Sequence, residues 1–268
     1  MSLRLAILDM NNNVPNKGVG YLQLLVEKYP EIDEYQIFDV RAKNEVPDLS
    51  FDIYISTGGP GSPYDFGNGW DKPYFNLMDQ IIDYNNKNEC KKYVFFICHS
   101  FQIASIYFKI GNLIERPHMS FGIYPVDTTA DTIYDEFLNQ LPNPFYVADF
   151  RYYQVANIDF KDFDERGFKL LATENKVSQV ENLVAPMAIR FNNEMIGTQF
   201  HPEADAIGMI QYLKEDTRKE NIIKEYGMKK YLDMVDHADD PDKIQLTHDI
   251  ILPTFLNIAI ENLKGVEV

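Results

Sequence analysis

Short apolar runs alternate with stretches of helical hydrophobic spacing along the first part of the chain. Runs rich in aliphatic and aromatic residues, typical of buried strands, occupy 3–8, 35–40, 51–56 and 93–97. Apolar residues recur at helical spacing in the intervening segments, at 20–29, at 78–84 and again after residue 98. Strands that alternate with helices predict a parallel sheet covered on both faces. In such sheets ligands bind at the carboxyl ends of the strands.

The pattern changes in the second half of the chain. Shorter strands with turns between them are predicted at 121–126, 145–148, 152–155, 168–172, 187–191 and 195–200. Asn192-Asn193 is typical of a hairpin turn between the last two. The simplest interpretation is an antiparallel extension of the same sheet. The fold class is therefore α/β, an open and mostly parallel sheet with helices on both faces.

A helical C-terminal extension is predicted to follow residue 203. It contains a helix from 207 to 226 that continues through 229–236, and then a break at 237–242. Thr247 is the expected N-cap of a last helix that ends at about residue 264. We accordingly divide the chain into a domain at 1–203 and an extension at 204–268 packed on that domain.

Composition narrows the class of protein. The chain has no apolar run long enough to span a membrane, and its N-terminus lacks the basic and apolar regions of a signal peptide. Its two cysteines do not make a disulfide framework, so we expect a cytoplasmic protein. The formal net charge of −16 argues against nucleic acid or an anionic membrane as the main partner.

Three features follow predicted strands and should therefore meet at one sheet edge. The first is the loop 57–63, whose glycines allow close backbone approach to a ligand, although a plain tight turn has the same composition. The second is Cys98, at an abrupt turn from strand to helix. A thiol at a helix N-terminus is favoured as thiolate, whereas the alternative is a buried, inert cysteine.

The third feature is His201-Pro-Glu203, which ends the last predicted strand. Residues two apart in an extended segment point to the same side, so the Glu203 carboxylate can fix the tautomer of His201 and favour its protonated form. Cys98, His201 and Glu203 then supply a nucleophile, a base and a group that orients the base. A surface turn with polar groups is the alternative interpretation of this tripeptide.

Two further histidines, His237 and His248, lie near aspartates and suggest metal ligands. A helix cap and a solvated linker account for the same residues, so we expect no metal site.

Three separated motifs together resemble one family. They are Ile55-Ser-Thr-Gly-Gly-Pro-Gly-Ser62, Ile97-Cys98 followed by Gln102, and Gly197-Thr-Gln-Phe-His-Pro-Glu203. In this order they resemble the class I, or triad, glutamine amidotransferases, above all the glutaminase domain of GMP synthetase and its free-standing relatives. The likeness runs from about residue 3 to residue 203, and 121–126 also resembles a strand of GMP-synthetase-like members.

The resemblance implies a flavodoxin-like sheet and a role for each matching residue. Cys98 would be the nucleophile, His201 the general base and then the acid, and Glu203 the residue that orients His201. The backbone N–H groups of Gly59 and His99 would form the oxyanion hole. The implied substrate-binding residues are Gln102, Gly58, Tyr152 and Tyr153.

The resemblance also implies partners, and it implies no cofactor. The substrate would be glutamine or another γ-glutamyl compound. We expect no ammonia-accepting domain after Glu203, so a separate synthetase would receive the ammonia. Residues 204–246 are the candidate surface for such a partner or for a second copy of the chain in a homodimer. A structural cap on the sheet is the alternative role for this segment.

Departures from the family pattern keep two other functions open. The family elbow reads Gly-x-Cys-x-Gly, whereas here the outer positions are Phe96 and Ser100, and Phe101 stands where a histidine often follows. The segment near the substrate's α-carbon, which contains histidine in the family, is 151–155 here. One alternative is a γ-glutamyl peptidase with the same triad, and the other is a non-catalytic binding or regulatory protein on this scaffold.

Overall fold

A computed structural model describes residues 2–179 and 183–265 of the chain. Nine strands form one sheet in the order β2-β1-β3-β4-β9-β8-β7-β5-β6. The strands are β1 (Leu3–Asp9), β2 (Ile32–Asp39), β3 (Ile53–Ser56), β4 (Tyr93–Ile97), β5 (Asn112–Thr128), β6 (Phe145–Ala156), β7 (Lys169–Glu174), β8 (Pro186–Arg190) and β9 (Met195–Thr198).

The first half of the sheet is parallel, as the alternating pattern predicts. β1 pairs in parallel with β2 and β3, β3 pairs with β4, and β4 pairs with β9. Every residue of β3 and β4 is buried, which explains their uninterrupted apolar sequences. Asp39 ends β2 and accepts a hydrogen bond from the N–H of Ala42, so Val40 begins a short helix instead of ending the strand.

The second half of the sheet is antiparallel, which confirms the predicted extension. β8 pairs with β9 and β7, and β5 pairs with β7 and β6. The division of 145–155 into two strands was wrong, because β6 runs without interruption from Phe145 to Ala156. The polar residues Asp149 and Arg151 broke the apolar pattern, but both are buried and form an ion pair with each other.

Helices cover both faces of the sheet. α1 and α8 pack on one face, where Leu22 and Phe255 join the core, and α3 and α4 pack on the other, where Tyr74 and Phe101 do so. The helices are α1 (Gly18–Val26), α2 (Val40–Lys43), α3 (Asp71–Lys87), α4 (His99–Tyr107), α5 (Phe160–Glu165), α6 (Ala206–Lys214), α7 (Asp216–Asp239) and α8 (Leu246–Gly265).

The C-terminal helices differ from their predicted boundaries. The segment from 206 to 239 is two helices, α6 and α7, and α7 contains a kink at Gly227 with φ of +86°. α7 continues through His237, so the break begins only at Asp240, before the π-helical turn Pro241–Gln245. Thr247 does not cap α8, since Leu246 opens the helix and the Thr247 hydroxyl donates to the Tyr146 carbonyl.

The C-terminal helices lie against the rest of the fold in two places. α6 and α7 pack against β5 and β6 through a separate apolar cluster that includes Phe121 and Ala148. α8 enters the main core. Residues 266–268, the end of the predicted extension, lie outside the described residues. Within the two described stretches of chain, none of the helices combines the length and apolar character needed to cross a bilayer.

Candidate active site

Cys98 occupies the sharp turn between β4 and α4. Its backbone has φ of +46° and ψ of −97°, which is strained for a residue with a Cβ. Its N–H donates to Thr198 O of β9 at 2.8 Å, and its carbonyl accepts the first bond of α4 from Gln102 N at 3.0 Å. The side chain is 5% exposed. Strand pairing on one side and the helix on the other therefore hold the thiol in a strained position.

His201, which is half-buried, and Glu203, which is buried, form a pair just beyond the end of β9. The His201 Nδ1 lies 2.7 Å from Glu203 Oε1. The His201 N–H donates to Ala148 O of β6 at 2.9 Å, and Phe150 packs against the ring. The structure therefore gives this His-Pro-Glu segment a fixed position at the sheet edge.

The charge state of His201 depends on both neighbours. Burial lowers its pKa, but the charges and hydrogen bonding of Glu203 and Cys98 outweigh burial and raise the pKa well above its usual value. Since Glu203 engages Nδ1, Nε2 is the nitrogen left to exchange a proton. The pair can therefore hold a proton next to Cys98.

Gly58 fills the space beside the thiol and the imidazole. A Cβ at residue 58 would lie 2.7 Å from His201 Cε1 and 3.6 Å from Cys98 Cβ. The loop after β3, Cys98 and His201 therefore meet at one point, as their positions after three neighbouring strands predicted. A side chain larger than hydrogen at 58 would displace the histidine ring.

Gly59 and His99, the expected oxyanion-hole residues, directly follow Gly58 and Cys98 in the chain. A Cβ at Gly59 would collide with the carbonyl oxygen of Met10, so the loop packs directly on the chain after β1. His99 is the first residue of α4, where the N–H has no acceptor within the helix. The His99 side chain points into the core beside Trp70, and its pKa falls to about 3 through burial and the nearby Arg41 charge.

The expected substrate-binding residues divide into two groups. Gln102 is buried, and its Nε2 donates to Tyr153 O at 3.0 Å and to Gln199 Oε1 at 3.1 Å. The Gln199 Nε2 in turn lies 3.8 Å from the Cys98 sulfur. Tyr153 thus reaches this network through its main chain, whereas the Tyr152 side chain is 54% exposed. The sequence motif contained Gln199, but its contact with the thiol was not predicted.

Phe96, the largest departure in the elbow, lies in the core between β4 and α4. It is fully buried and packs edge-to-face on Phe191. Its partner in β9 is Gly197, where a Cβ would lie 2.9 Å from Phe96 Cβ and 3.1 Å from Phe101 Cδ2. Gly197 on the neighbouring strand therefore leaves room for the Phe96 side chain. Phe96, which replaces the glycine of the family elbow, lies among aromatic residues of the core.

A buried ionic cluster lies behind the thiol on β5, β6 and β7. The Arg151 Nε lies 3.0 Å from Asp149 Oδ2 and its Nη2 lies 2.8 Å from Glu174 Oε1, while Arg116 Nη1 lies 3.0 Å from the same Glu174 oxygen. Burial lowers the pKa of Arg151, but the two carboxylates outweigh it and, with Cys98, raise the pKa. No local pattern predicted this cluster, because Arg116 and Glu174 lie far along the chain from the Asp149–Arg151 pair.

The candidate metal ligands His237 and His248 lie on α7 and α8. His237 packs on Tyr146, and its Nδ1 lies 3.4 Å from Ile123 O. Among residues 2–179 and 183–265, no group of three or more His, Cys, Asp or Glu side chains is arranged to hold a metal ion.

Comparison with known proteins places these residues in a family context. The family model described as glutamine amidotransferase class-I matches residues 14–215, which contain Cys98, His201 and Glu203. An uncharacterized protein of Caenorhabditis elegans is 22% identical over 169 residues, which is 63% of this chain and 76% of that protein.

Solved structures share the fold. A glutamine amidotransferase from Thermotoga maritima superposes with a TM-score of 0.70 at 15% identity and covers 97% of this chain and 99% of its own. A protein from Thermoplasma acidophilum, described as a putative GMP synthase subunit, gives a TM-score of 0.53 at 16% identity, covering 76% of this chain and 86% of its own. At such identities the likeness shows the fold alone, and it confirms the predicted flavodoxin-like architecture.

Proposed function

The chain belongs to the class I glutamine amidotransferase family, and from that premise we propose that it is a cysteine amidohydrolase. It cleaves the γ-amide of glutamine, or of another γ-glutamyl compound, through a thioester. The observation that carries the proposal is the strained Cys98 beside the hydrogen-bonded His201–Glu203 pair. A structural cysteine has no need of a strained backbone or of an imidazole with a raised pKa.

The first half of the reaction releases ammonia. The Cys98 thiolate attacks the amide carbon, a C–S bond forms, and the C=O electron pair moves to oxygen as an oxyanion. The N–H groups of Gly59 and His99 bind that oxyanion, and each such donor is typically worth about 3–4 kcal/mol in the transition state. Protonated His201 then gives its proton to the nitrogen, the C–N bond breaks, and ammonia leaves.

The second half hydrolyses the thioester. Neutral His201, oriented by Glu203 at Nδ1, takes a proton from water as the water oxygen attacks the thioester carbon. The C–S bond breaks, the γ-carboxyl product leaves, and thiolate and imidazolium are restored. Gln102 helps to hold the substrate's amino-acid end, and Gly58, Tyr152 and Tyr153 are the other substrate-binding residues. Ammonia passes to a separate acceptor enzyme, an arrangement supported by the solved neighbour that is described as part of a synthase.

Labelling with a glutamine-mimicking diazo ketone tests the proposal. We expect one adduct, found by peptide mass spectrometry on Cys98, and turnover of L-glutamine or γ-glutamyl-p-nitroanilide that is lost in Cys98→Ser. Cys90→Ser is the matched control, because Cys90 is the other free cysteine and should leave labelling unchanged.

The absence of an adduct at reagent concentrations that label a known glutaminase would overturn the proposal. That outcome would favour a non-catalytic binding protein on the same scaffold.

A γ-glutamyl peptidase is the second candidate function. It is favoured by the segment 151–155, which departs from the histidine-containing family segment. This segment begins with the buried Arg151, directly after Phe150, whose carbonyl lies 3.9 Å from the Cys98 sulfur. The two activities are separated by comparing kcat/KM for L-glutamine with kcat/KM for γ-glutamyl dipeptides. A clear preference for the dipeptides would assign the peptidase.

A further inference from the structure

The loop after β3 is held by three side chains to which the sequence motifs gave no role. We infer that Ser100, Thr57 and Arg41 are positioning residues that fix this loop so that the Gly59 N–H faces the oxyanion. The inference rests on the proposed function and deepens it. It also gives a role to Ser100, which stands where the family elbow carries glycine.

Three carbonyl groups of the loop each accept a hydrogen bond from a side chain. The Ser100 hydroxyl donates to Thr57 O at 2.6 Å, and the Thr57 hydroxyl donates to Gly58 O at 2.9 Å. The Arg41 Nη1 donates to Pro60 O at 2.6 Å. Ser100, Thr57 and Arg41 are all buried, so these bonds are shielded from competing water.

These bonds determine where the N–H groups point. A trans peptide is planar, and its N–H lies opposite its carbonyl. With Gly58 O bound to the Thr57 hydroxyl, the Gly59 N–H is directed to the other side of the peptide plane. A flip of this peptide would break that bond and leave a buried carbonyl without a partner. The loop is therefore held in one orientation before substrate arrives.

The same side chains tie the loop to the chain after β1. The Met10 N–H donates to the Thr57 hydroxyl at 2.9 Å, and Arg41 Nη1 also donates to Met10 O at 3.1 Å. Arg41 additionally stacks over Trp70, which fixes its guanidinium from the other side. The loop is thus anchored at Thr57 and at Pro60, in addition to the bond at Gly58 O.

Ser100 is the end of a directed hydroxyl chain. Because its only proton goes to Thr57 O, its oxygen accepts from Ser56 Oγ at 2.8 Å, and Ser56 accepts from Tyr74 OH at 2.9 Å. Burial raises the pKa of Tyr74 to about 12, so it remains a donor. Glycine at position 100 could not make these bonds. The serine therefore connects the helix that carries Cys98 to the loop that carries Gly59.

Substitution of the hydroxyl donors tests the inference. Loss of an oxyanion donor itself typically lowers kcat by about 10²–10³-fold. In Ser100→Ala and Thr57→Val the Gly59 N–H remains but is less well oriented. We therefore expect these substitutions to lower kcat by about 10–100-fold. KM for γ-glutamyl-p-nitroanilide should change by less than about threefold, because the substrate's amino-acid end is held elsewhere. Thr57→Ser keeps the hydroxyl and should recover most of the lost rate.

Two measurements distinguish positioning from a general structural role. Alkylation of Cys98 by iodoacetamide forms no oxyanion, so its rate should be unchanged in Ser100→Ala. Ser105→Ala is the matched control, because Ser105 is a buried serine of the same helix whose hydroxyl donates only to Phe101 O. It should leave turnover, alkylation and loop exchange unchanged.

Amide exchange of the peptide spanning 57–62 decides the inference even if neither substrate is turned over. That peptide should exchange faster in Ser100→Ala and Thr57→Val than in the wild type and Ser105→Ala. Unchanged exchange, or alkylation slowed as much as acylation, overturns the inference. If the wild-type protein hydrolyses neither L-glutamine nor γ-glutamyl-p-nitroanilide, the proposed function is overturned instead. Amide exchange then still tests whether Ser100 and Thr57 hold the loop.

Discussion

At the residue scale, the site joins a strained cysteine to a half-buried histidine whose charge is set by its neighbours. Glu203 stabilises the imidazolium from Nδ1, and Cys98 stabilises it from the other side. Both interactions favour the protonated ring, which is the form that donates to a leaving amine. The charge state of one ring therefore links the carboxylate of Glu203 to the chemistry proposed for Cys98.

Glu203→Gln should lower the pKa of His201. The amide keeps the shape of the carboxylate but removes the negative charge, so the protonated ring loses its larger stabilising neighbour. Titration of the His201 ring by NMR measures the shift, and His237, which lies at another cluster, is the internal control. An unchanged His201 pKa would show that Glu203 is not the dominant partner.

The same pKa has a consequence for stability. The pKa of His201 is higher in the folded protein than in the unfolded chain, where it is about 6.5. Its protonation therefore stabilises the fold fully at pH values below about 6.5, and this contribution is lost as the pH rises through the folded value. Glu203→Gln should reduce the contribution, which denaturation followed at several pH values would detect.

At the scale of secondary structure, β4 and β9 carry the site and compensate each other's side chains. Phe96 fills the space beneath α4, and Gly197 opposite it leaves that space clear. The strands position both catalytic candidates, since β4 leads into Cys98 and β9 leads to His201. A change in their packing should therefore affect stability and activity together.

Gly197→Ala should destabilise the protein by about 1–3 kcal/mol, the usual cost of overpacking a core. The added methyl would meet Phe96 Cβ and Phe96 O, both at 2.9 Å, and a backbone oxygen cannot move aside. Urea denaturation measures the loss.

Gly20→Ala provides the comparison, because Gly20 lies in α1 with open space around it. Alanine there should be neutral or stabilising by up to about 1 kcal/mol. Equal effects of the two substitutions would contradict the packing argument.

At the scale of the whole molecule, the last helix of the C-terminal extension, α8, is part of the main core. Phe255 of α8 packs on Phe95 of β4, with ring centroids 5.1 Å apart. Leu252, Leu256 and Ile260 are buried in the same cluster. α8 therefore packs against β4, the strand that leads into Cys98, on the sheet face opposite to α4.

Phe255→Ala should cost about 3–5 kcal/mol in the free energy of unfolding, as is typical for a large aromatic side chain removed from a core. Leu232→Ala on α7 is the control, because the Leu232 side chain is 50% exposed and should cost far less. Thermal denaturation of both variants makes the comparison. A small effect of Phe255→Ala would mean that α8 is only a peripheral cap.

The alternation of apolar runs and helical spacing determined the parallel half of the sheet, because buried strands and amphipathic helices are encoded by residues close together in the chain. The positions of Cys98, His201 and the loop at 57–63 after three strands likewise predicted that they would meet. The local pattern also gave one wrong prediction. The polar residues Asp149 and Arg151 interrupt the apolar pattern of β6, so the sequence predicted two strands there.

Only the tertiary structure decided what depends on distant partners. A buried charge is tolerated where an opposite charge reaches it, and Arg116 and Arg151 find theirs at Glu174. Phe96 is accommodated by a glycine that follows it by a hundred residues, and Ser100 bonds a loop more than forty residues before it. The sequence therefore determined the order of the elements and the chemical groups at their ends. The fold determined how those groups are aimed, because packing and hydrogen bonding join residues that no local pattern connects.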